Sequence, residues 1–174
     1  MIETVAKWLI KYCEWRGKVF RITGTAGPED VYLIRYYVIR SSWFNFYIHI
    51  FLRSDRDDMH DHPWDFCTYL VRGAYIERKW NFKERRTDVI FRSNWPDIGY
   101  GEEKQNRLVF RKATDLHQVM TPEQYSLSRI NEAPMTLFFS GPKRREWGFV
   151  RQSTRQWVHW KEYLGLPADA PDRG

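Results

Sequence analysis

The spacing of the apolar residues changes after Gly17, and this change constrains the fold more than any other feature of the sequence. From Ile2 to Trp15 apolar residues recur at steps of three and four, which places them along one side of an α-helix. The residues of this stripe are Ile2, Val5, Ala6, Leu9, Tyr12 and Cys13. The pattern predicts an amphipathic helix that ends at Gly17. Beyond Gly17 the spacing becomes two, the period of a β-strand, so a mainly β fold with an N-terminal helix is expected.

Short apolar segments separated by turn residues fill most of the remaining chain, which is typical of a β-sandwich or barrel. The predicted strands are Lys18–Thr23, Val31–Arg40, Phe44–Arg53, Phe66–Arg72, Ala74–Trp80, Val89–Arg92, Leu108–Arg111, Leu116–Met120, Ser126–Ile130, Met135–Ser140 and Trp147–Arg151. Both alternating sets of side chains in Phe44–Arg53 are rich in apolar residues, so both faces of that strand are expected to be covered. Ser93–Arg107 predicts a long loop at a barrel mouth, and Trp157–Leu164 predicts a short closing helix.

A chain of 174 residues has the length of one domain with a well-filled core. We therefore expect a single domain over 1–174, with the N-terminal helix over 1–17, a barrel over 18–152, and a C-terminal helix and tail over 153–174. Hydrophobic residues make up 43% of the sequence and charged residues 29%, a balance that excludes an integral membrane protein and a low-complexity chain. Aromatic residues reach 17%, which supports the β-rich assignment because they favour strands.

Cysteine content and charge indicate a compartment and a class of ligand. Cys13 and Cys67 are too few for a disulfide framework, so free thiols and a cytoplasmic location are expected. Glu3, Lys7 and Lys11 interrupt the N-terminal apolar stretch, so neither a signal peptide nor a membrane span is predicted, and no membrane partner is expected. Lys and Arg outnumber Asp and Glu by 28 to 22, and the resulting net charge of +6 favours an anionic ligand.

Three histidines form the candidate metal site. His60 and His62 are one residue apart, so on an extended strand both rings point the same way, about 6.5–7 Å from each other. His117 lies in another short strand pattern, far enough along the chain for an antiparallel neighbour. Imidazole is a common ligand of transition metals. Three protein ligands leave coordination positions open on the ion, which is the arrangement of a catalytic rather than a structural metal site.

At these residues the sequence resembles the cupin superfamily. The first motif of that family has a glycine, five residues, His-x-His, three or four residues, a glutamate, six residues and a glycine, and its second motif is marked by one more histidine. The matching residues are His60, His62 and Gly73 in the first motif and His117 in the second. Ser54 replaces the first glycine, Phe66 stands at the glutamate position, and the proline, glycine and asparagine of the second motif are absent. The overall pattern is similar over 44–150.

The resemblance implies a double-stranded β-helix, or jelly-roll, barrel that holds a metal inside through His60, His62 and His117. Because the glutamate is missing, the ligand pattern is most similar to the three-histidine cupins, among which thiol dioxygenases bind non-haem Fe(II). The expected cofactor is therefore a divalent transition metal, Fe(II) first, with Zn, Ni or Mn as alternatives. Asp65 is a further candidate metal ligand, and its alternative role is to cap a turn. His49 is expected to be an interior histidine near this site.

Basic and aromatic residues supply the other candidate site residues. Arg144 and Arg145 lie in a turn loaded with cations, and the planar fork of arginine suits a carboxylate or phosphate. They are candidate substrate-binding residues, with a solvated turn as the alternative. Tyr69 and Tyr75 are candidate catalytic hydroxyl groups, although a chain with 10 tyrosines also buries some of them for packing alone.

These features favour a small metal-binding cupin, an Fe(II)-dependent oxygenase acting on a small anionic molecule. One alternative is a metal-free epimerase or isomerase of the sugar-nucleotide type, with a histidine base and a tyrosine acid. Another is a non-enzymatic cupin module that senses a ligand or binds nucleic acid, although no motif indicates nucleic acid. A homodimer is also left open by the sequence.

Overall fold

The computed structural model describes residues 1–23, 29–55, 58–94, 107–121 and 133–170. In chain order the elements are α1 (Ile2–Trp15), β1 (Val19–Thr23), β2 (Val31–Arg40), β3 (Asn45–Phe51), β4 (Met59–His60), β5 (Phe66–Arg72), β6 (Ala74–Asn81), β7 (Arg86–Ser93), β8 (Leu108–Arg111), β9 (His117–Met120), β10 (Met135–Ser140), β11 (Gly148–Val150), β12 (Trp157–His159) and α2 (Trp160–Tyr163). The expected order, an N-terminal helix followed by strands, is confirmed.

The strands form two six-stranded antiparallel sheets. One sheet, which we call the helix-side sheet, has the order β1-β2-β3-β10-β5-β8. The other, which we call the histidine sheet, has the order β12-β11-β4-β9-β6-β7. The chain crosses repeatedly between the two sheets, which is the double-sheet organisation of a jelly roll. Within the described residues the hydrogen-bonded ladders remain two separate sheets, so the expected barrel is a pair of facing sheets rather than one closed ladder.

Helix α1 packs on the outer face of the helix-side sheet. Its buried residues Ala6 and Cys13 contact a cluster that includes Tyr36, Ile48 and Met135 from three different strands. The helix ends where Gly17 takes a positive φ of 63°, a conformation that glycine adopts without a steric penalty. The helix therefore lies outside the space between the two sheets, as the sequence predicts.

Strand β3 separates this outer cluster from the interior. Ile48 and Ile50 point towards α1, whereas Tyr47 and His49 contact Phe138 on the interior side. The alternation of β3 is the expected one, and both of its faces are covered. β3 therefore contacts α1 with one face and places His49 on its other face, towards the space between the sheets.

Two stretches differ from the predicted elements. Trp157–Leu164 is not one helix, because Trp157–His159 pairs with β11 as strand β12 and only Trp160–Tyr163 is helical. The edge of β11 offers free backbone groups, and pairing with it satisfies those of β12. Strand β7 is longer than predicted because it pairs with β6 along its whole length, from Arg86 to Ser93.

The predicted strand Ser126–Ile130 and most of the predicted loop Ser93–Arg107 lie outside the described residues. Cys13 and Cys67 both carry free thiols. In the described part of the chain, no helix has the length and apolar character needed to cross a lipid bilayer.

Candidate metal centre

Strands β4 and β9 bring the three histidines together. The two strands are antiparallel neighbours in the histidine sheet, and His60 is the direct cross-strand partner of His117. His62 follows β4 two residues later, and its backbone N–H donates to the carbonyl of Ala113 in the segment before β9. The expected convergence of the His-x-His pair with a histidine on an adjacent antiparallel strand is therefore present.

The three rings point at a common centre. One ring nitrogen of each histidine lies within 4.8 Å of the corresponding nitrogen of the other two. The ring centroids are 5.0 Å apart for His60 and His62, 5.1 Å for His60 and His117, and 5.0 Å for His62 and His117. His62 Nε2 and His117 Nε2 face each other at 2.8 Å. This group could hold a metal ion, and the donor atoms that it offers are nitrogen atoms.

Burial keeps two of these rings neutral. Loss of solvent, together with the nearby His117 ring, lowers the pKa of His60 to about 3. The pKa of His62 lies well below its usual range, first because of burial and then because of the neighbouring histidines. A neutral imidazole presents a lone pair, which is the form that binds a metal.

Glu77 fixes the orientation of His117 from behind. Its Oε1 lies 3.0 Å from His117 Nδ1, and the carboxylate is itself buried at 3% exposure. Arg111 donates from Nε to Oε1 at 2.9 Å, and Arg92 donates from Nε to Oε2 at 2.8 Å. Burial alone would raise the pKa of Glu77, but the contact with His117, the hydrogen bond from Arg111 and the charge of Arg92 outweigh it and hold the pKa well below its usual range. The ionised carboxylate therefore accepts the Nδ1 proton, and His117 Nε2 carries the lone pair.

Asp61 anchors the segment between the first two histidines. Its side chain points away from the rings, as expected from the strand alternation, and is 3% exposed. Oδ1 accepts from the backbone N–H of Gly148 at 2.8 Å, and Oδ2 accepts from Trp157 Nε1 at 3.0 Å. Arg145 also donates to Oδ2. The residue between the two histidines thus ties β4 to β11 and β12.

Phe66 occupies the position that the glutamate takes in the cupin motif. Its ring stands nearly edge-on to His62, with centroids 4.6 Å apart, and also contacts His117 at 5.7 Å. Asp55 places a carboxylate near His60, with its Oδ2 3.4 Å from His60 Nδ1, a separation longer than an ordinary hydrogen bond. Among the described residues, the group of converging ligand atoms therefore contains histidine nitrogens alone.

The histidines line a cavity of about 140 Å³ between the two sheets. Aromatic side chains form a large part of its lining, from Phe20, Tyr32, Phe51, Trp64, Phe66, Tyr75, Phe138, Trp147, Phe149 and Trp160. Two arginines, Arg35 and Arg111, also face it. Arg35 donates from Nε to His49 Nε2 at 3.0 Å, and its guanidinium carbon lies 5.0 Å from the centroid of the Tyr47 ring. The cavity wall thus combines aromatic rings with four histidines, two arginines and the carboxylates of Asp55 and Glu77.

Of the two candidate tyrosines, Tyr75 faces the cavity between the sheets and Tyr69 faces α1 on the outside. Tyr75 lines the cavity, and burial, followed by the charge of Glu77, raises its pKa to about 12. Tyr69 is not part of the cavity lining and packs instead with the cluster under α1. The alternation of β5 explains this, because Thr68 faces the cavity and the next residue must face outwards.

The structure does not bring Asp65, Arg144 or Arg145 to the histidines. Asp65 accepts from the backbone N–H of Ala113 at 2.8 Å and pairs with Arg144 at 3.0 Å, so its carboxylate is used in a turn, which was its alternative role. Arg144 is largely exposed, and Arg145 is bound to Asp61 on the far side of β4. Neither arginine is part of the cavity lining.

Sequence reasoning missed the charged residues that surround the site, namely Arg35, Asp55, Glu77, Arg92 and Arg111. A signal for Glu77 was present, because it shares a strand face with Tyr75 in a segment otherwise rich in apolar residues. A charged residue on the interior face of a strand requires a partner of opposite charge. Arg92 on β7 and Arg111 on β8 are those partners, but finding them requires the pairing of β6 with β7 and the facing of the two sheets.

The two facing antiparallel sheets form a jelly-roll fold. The three histidines between the sheets form a group that could hold a metal ion. No protein-family model and no curated protein matches the sequence. Solved structures do match the fold. A cupin-2 domain protein from Rhodospirillum rubrum superposes with a TM-score of 0.51 at 10% identity, over 78% of this chain and 76% of that one.

Two further matches have lower scores. The polyketide cyclase RemF from Streptomyces resistomycificus has a TM-score of 0.47 and 16% identity, over 78% of this chain and 80% of its own. An RmlC-like cupin from Shewanella frigidimarina has a TM-score of 0.42 and 12% identity, over 72% and 86%. The chain has the fold of the cupin superfamily, as the resemblance of its histidine motif implied.

Proposed function

We propose that this protein is a metal-dependent cupin enzyme, an Fe(II)-dependent oxygenase that acts on a small anionic molecule. The observation that carries the proposal is the convergence of three histidine nitrogens within 4.8 Å of one another on the wall of a cavity rich in aromatic residues. Two of these rings are held neutral by burial, and the third is oriented by Glu77. The donor set therefore fits a borderline transition metal better than Ca²⁺ or Mg²⁺, which prefer oxygen ligands.

His60, His62 and His117 would hold the ion, and three ligands leave further coordination positions open. A bound Fe(II) would supply redox chemistry and a binding position for O₂ next to the substrate. Zn, Ni and Mn are the alternatives that the same donors accept. Glu77 keeps the Nδ1 proton on His117, so the lone pair of Nε2 stays directed at the centre.

The remaining cavity residues bind and shield the substrate. The aromatic lining displaces water, which strengthens electrostatic contacts inside the cavity and suppresses side reactions. Arg111 is committed to Glu77 through two hydrogen bonds, at 2.9 Å and 2.6 Å. Arg35 also lines the cavity, and its guanidinium is oriented by the hydrogen bond to His49 and by the Tyr47 ring. We therefore assign the recognition of the substrate's acid group to Arg35, instead of Arg144 or Arg145.

The test is metal reconstitution without oxygen, followed by addition of oxygenated buffer to the loaded protein. Protein purified without a histidine tag is stripped with chelator and loaded separately with Fe(II), Zn(II), Ni(II) and Mn(II), and bound metal and oxygen uptake are measured with a panel of small carboxylic acids. The proposal expects one ion per chain and carboxylate-dependent oxygen uptake with Fe(II) alone. A protein that binds none of these ions stoichiometrically contradicts it.

A metal-free acid–base enzyme is the second candidate. Tyr75 and His62 line the same cavity, and the pKa of the Tyr75 hydroxyl is raised to about 12, so at neutral pH the cavity holds a protonated tyrosine acid and a neutral imidazole base. Turnover of a substrate that persists in excess chelator would favour this function over the oxygenase.

A further inference from the structure

The outer face of the helix-side sheet carries a line of apolar side chains beside α1. Across the strands, Ile39 pairs with Phe46, Phe46 with Phe139, Phe139 with Cys67, and Cys67 with Phe110. We call these five residues the aromatic row. Phe139 is two residues from Leu137, which packs against the cluster under α1, so the row lies on the same face, about 6.5–7 Å further along the strands.

The aromatic row is exposed at its two ends, and its three central residues, Phe46, Phe139 and Cys67, are half-buried. The rings of Phe46 and Phe139 stack at 4.5 Å with an interplanar angle of 7°, and Phe44 stacks on Phe139 at 6.1 Å. At the sheet edge, Phe110 is 70% exposed, and Ile39 at the other end is 47% exposed. Apolar residues matched in register over five strands are typical of a sheet face that packs against another layer.

Helix α1 continues this apolar surface. Val5, Trp8, Tyr12 and Trp15 recur at steps of three and four and are all exposed, with Trp8 at 75% and Trp15 at 77%. They form a second apolar stripe, which we call the outer stripe, in addition to the one that packs on the sheet. A helix that packs on a sheet and is otherwise in contact with water needs apolar residues only on the side that faces the sheet. The outer stripe is therefore not explained by the packing of α1 on its own sheet.

From this surface we infer that the protein is a two-fold homodimer, in which the outer stripe of one copy packs on the aromatic row of the other. An aromatic side chain removes ~150–250 Å² from water when buried, so the stripe and row together expose on the order of 1,000 Å². That area exceeds the ~300–600 Å² of the largest apolar patch on a typical monomer. It also meets the ~800 Å² that each partner contributes to a standard interface.

A second copy suits this surface because the two parts are complementary and lie side by side. In a two-fold interface every contact occurs twice. The outer stripe of the first copy packs on the aromatic row of the second, and the outer stripe of the second packs on the aromatic row of the first. The polar side of α1 carries charges of both signs, from Glu3, Lys7, Lys11 and Glu14. Because this side carries both signs of charge, acidic residues of one copy can face basic residues of an identical copy. A surface that binds anionic lipids would carry an excess of cations instead.

The test measures oligomeric state by sedimentation velocity over a hundredfold range of protein concentration. Wild type is expected to sediment as a dimer. Trp8→Glu and Phe110→Glu, which change the stripe and the row separately, are each expected to give monomers with the circular dichroism of the wild type. Phe82→Glu and Val89→Glu are the matched controls, because these residues are comparably exposed but belong to the histidine sheet side, and both should remain dimers.

Several outcomes would overturn the inference. A wild-type monomer at the highest concentration contradicts it, and binding of that monomer to vesicles with anionic lipids would identify a membrane as the occupant. A dimer that survives both Trp8→Glu and Phe110→Glu places the interface elsewhere. The inference does not depend on metal binding, so a dimer without metal would support it while contradicting the proposed enzyme.

Discussion

His60 and His117 are direct cross-strand partners at the junction of β4 and β9, with ring centroids 5.1 Å apart. Cross-strand neighbours are held at a fixed separation by the backbone ladder rather than by their own side chains. Two of the three candidate ligands are thus positioned before any ion binds. The third, His62, is positioned by the anchoring of Asp61 on the opposite side of the same segment.

We predict that His62→Ala abolishes stoichiometric metal binding and leaves the protein folded. The ring of His62 supplies one of three converging nitrogens, whereas the core around it is aromatic and independent of the ion. Bound metal is measured by elemental analysis, and folding by circular dichroism. His159→Ala is the control, since His159 binds Glu146 and the backbone N–H of Lys161 away from the cavity. Equal metal content in wild type and His62→Ala would sink the metal-site hypothesis.

Local patterns predicted the strands well because period-two alternation is a property of neighbouring residues. β2, β5, β8 and β10 have the predicted bounds, as does α1. The pattern failed at Trp157–His159, where aromatic and β-branched residues form an edge strand that only the neighbouring β11 explains. The β-propensity of a segment does not show which strand it pairs with. Trp157–His159 is a strand because it pairs with β11.

The candidate site was predictable to a similar extent. His-x-His and a distant histidine could be paired from spacing alone, because one period fixes two rings on one face. Arg35 and Arg111 could not be found, since nothing in the sequence distinguishes these arginines from the remaining basic residues. Their role depends on long-range neighbours, His49 for Arg35 and Glu77 for Arg111.

Glu77→Gln is predicted to weaken metal binding about 10–100-fold, the usual effect of removing the carboxylate behind a ligating histidine. The amide retains the shape of the side chain but no longer holds the Nδ1 proton of His117 through a charge. Affinity is measured by competition with a chelator. Glu77→Ala should in addition lower the free energy of unfolding by about 3–5 kcal/mol, because it leaves Arg92 and Arg111 without their buried partner. Unchanged metal affinity in Glu77→Gln would show that the carboxylate does not act through His117.

The metal-free protein should lose stability as the pH falls below about 6.5. In the unfolded chain His60 takes up a proton near its ordinary pKa of 6.5, but in the folded protein burial lowers that pKa to about 3. Between these values the unfolded state binds more protons, so lowering the pH favours unfolding. His62 and His49 act in the same direction, since burial also lowers the pKa of each.

Urea unfolding of chelator-treated protein at several pH values between 7.5 and 5 measures this effect. His60→Leu should unfold with a smaller dependence on pH, because its side chain binds no proton. The His159→Ala variant should keep the dependence of the wild type. The same slope in His60→Leu and wild type would contradict a neutral buried His60.

Asp61→Ala should lower both stability and metal affinity, although Asp61 does not face the ion. The substitution removes the acceptor of Gly148 N–H, Trp157 Nε1 and the partly exposed Arg145, and leaving a buried donor unsatisfied costs about 1–3 kcal/mol. Asp65→Ala is the comparison, because its partner Arg144 is largely exposed and such pairs contribute about 0–1 kcal/mol. Chemical denaturation and chelator competition measure the two effects. Equal losses in the two variants would show that Asp61 has no special role in holding β4.

Arg35→Gln is predicted to remove the binding of small carboxylates while leaving metal binding intact. Arg35 lines the cavity, and its guanidinium is oriented by the hydrogen bond to His49 and the face of Tyr47, so a bound acid group would meet a preset donor fork. The measurement is the shift in unfolding temperature of the metal-loaded protein in the presence of benzoate, acetate and 3-mercaptopropionate. Arg144→Gln is the matched control, because it removes a cation from the surface turn without touching the cavity. We expect any stabilisation by these acids in wild type to persist in Arg144→Gln and to be lost in Arg35→Gln. Retention of the full shift in Arg35→Gln, or its loss in Arg144→Gln, would return the recognition of the acid group to the turn that holds Arg144 and Arg145.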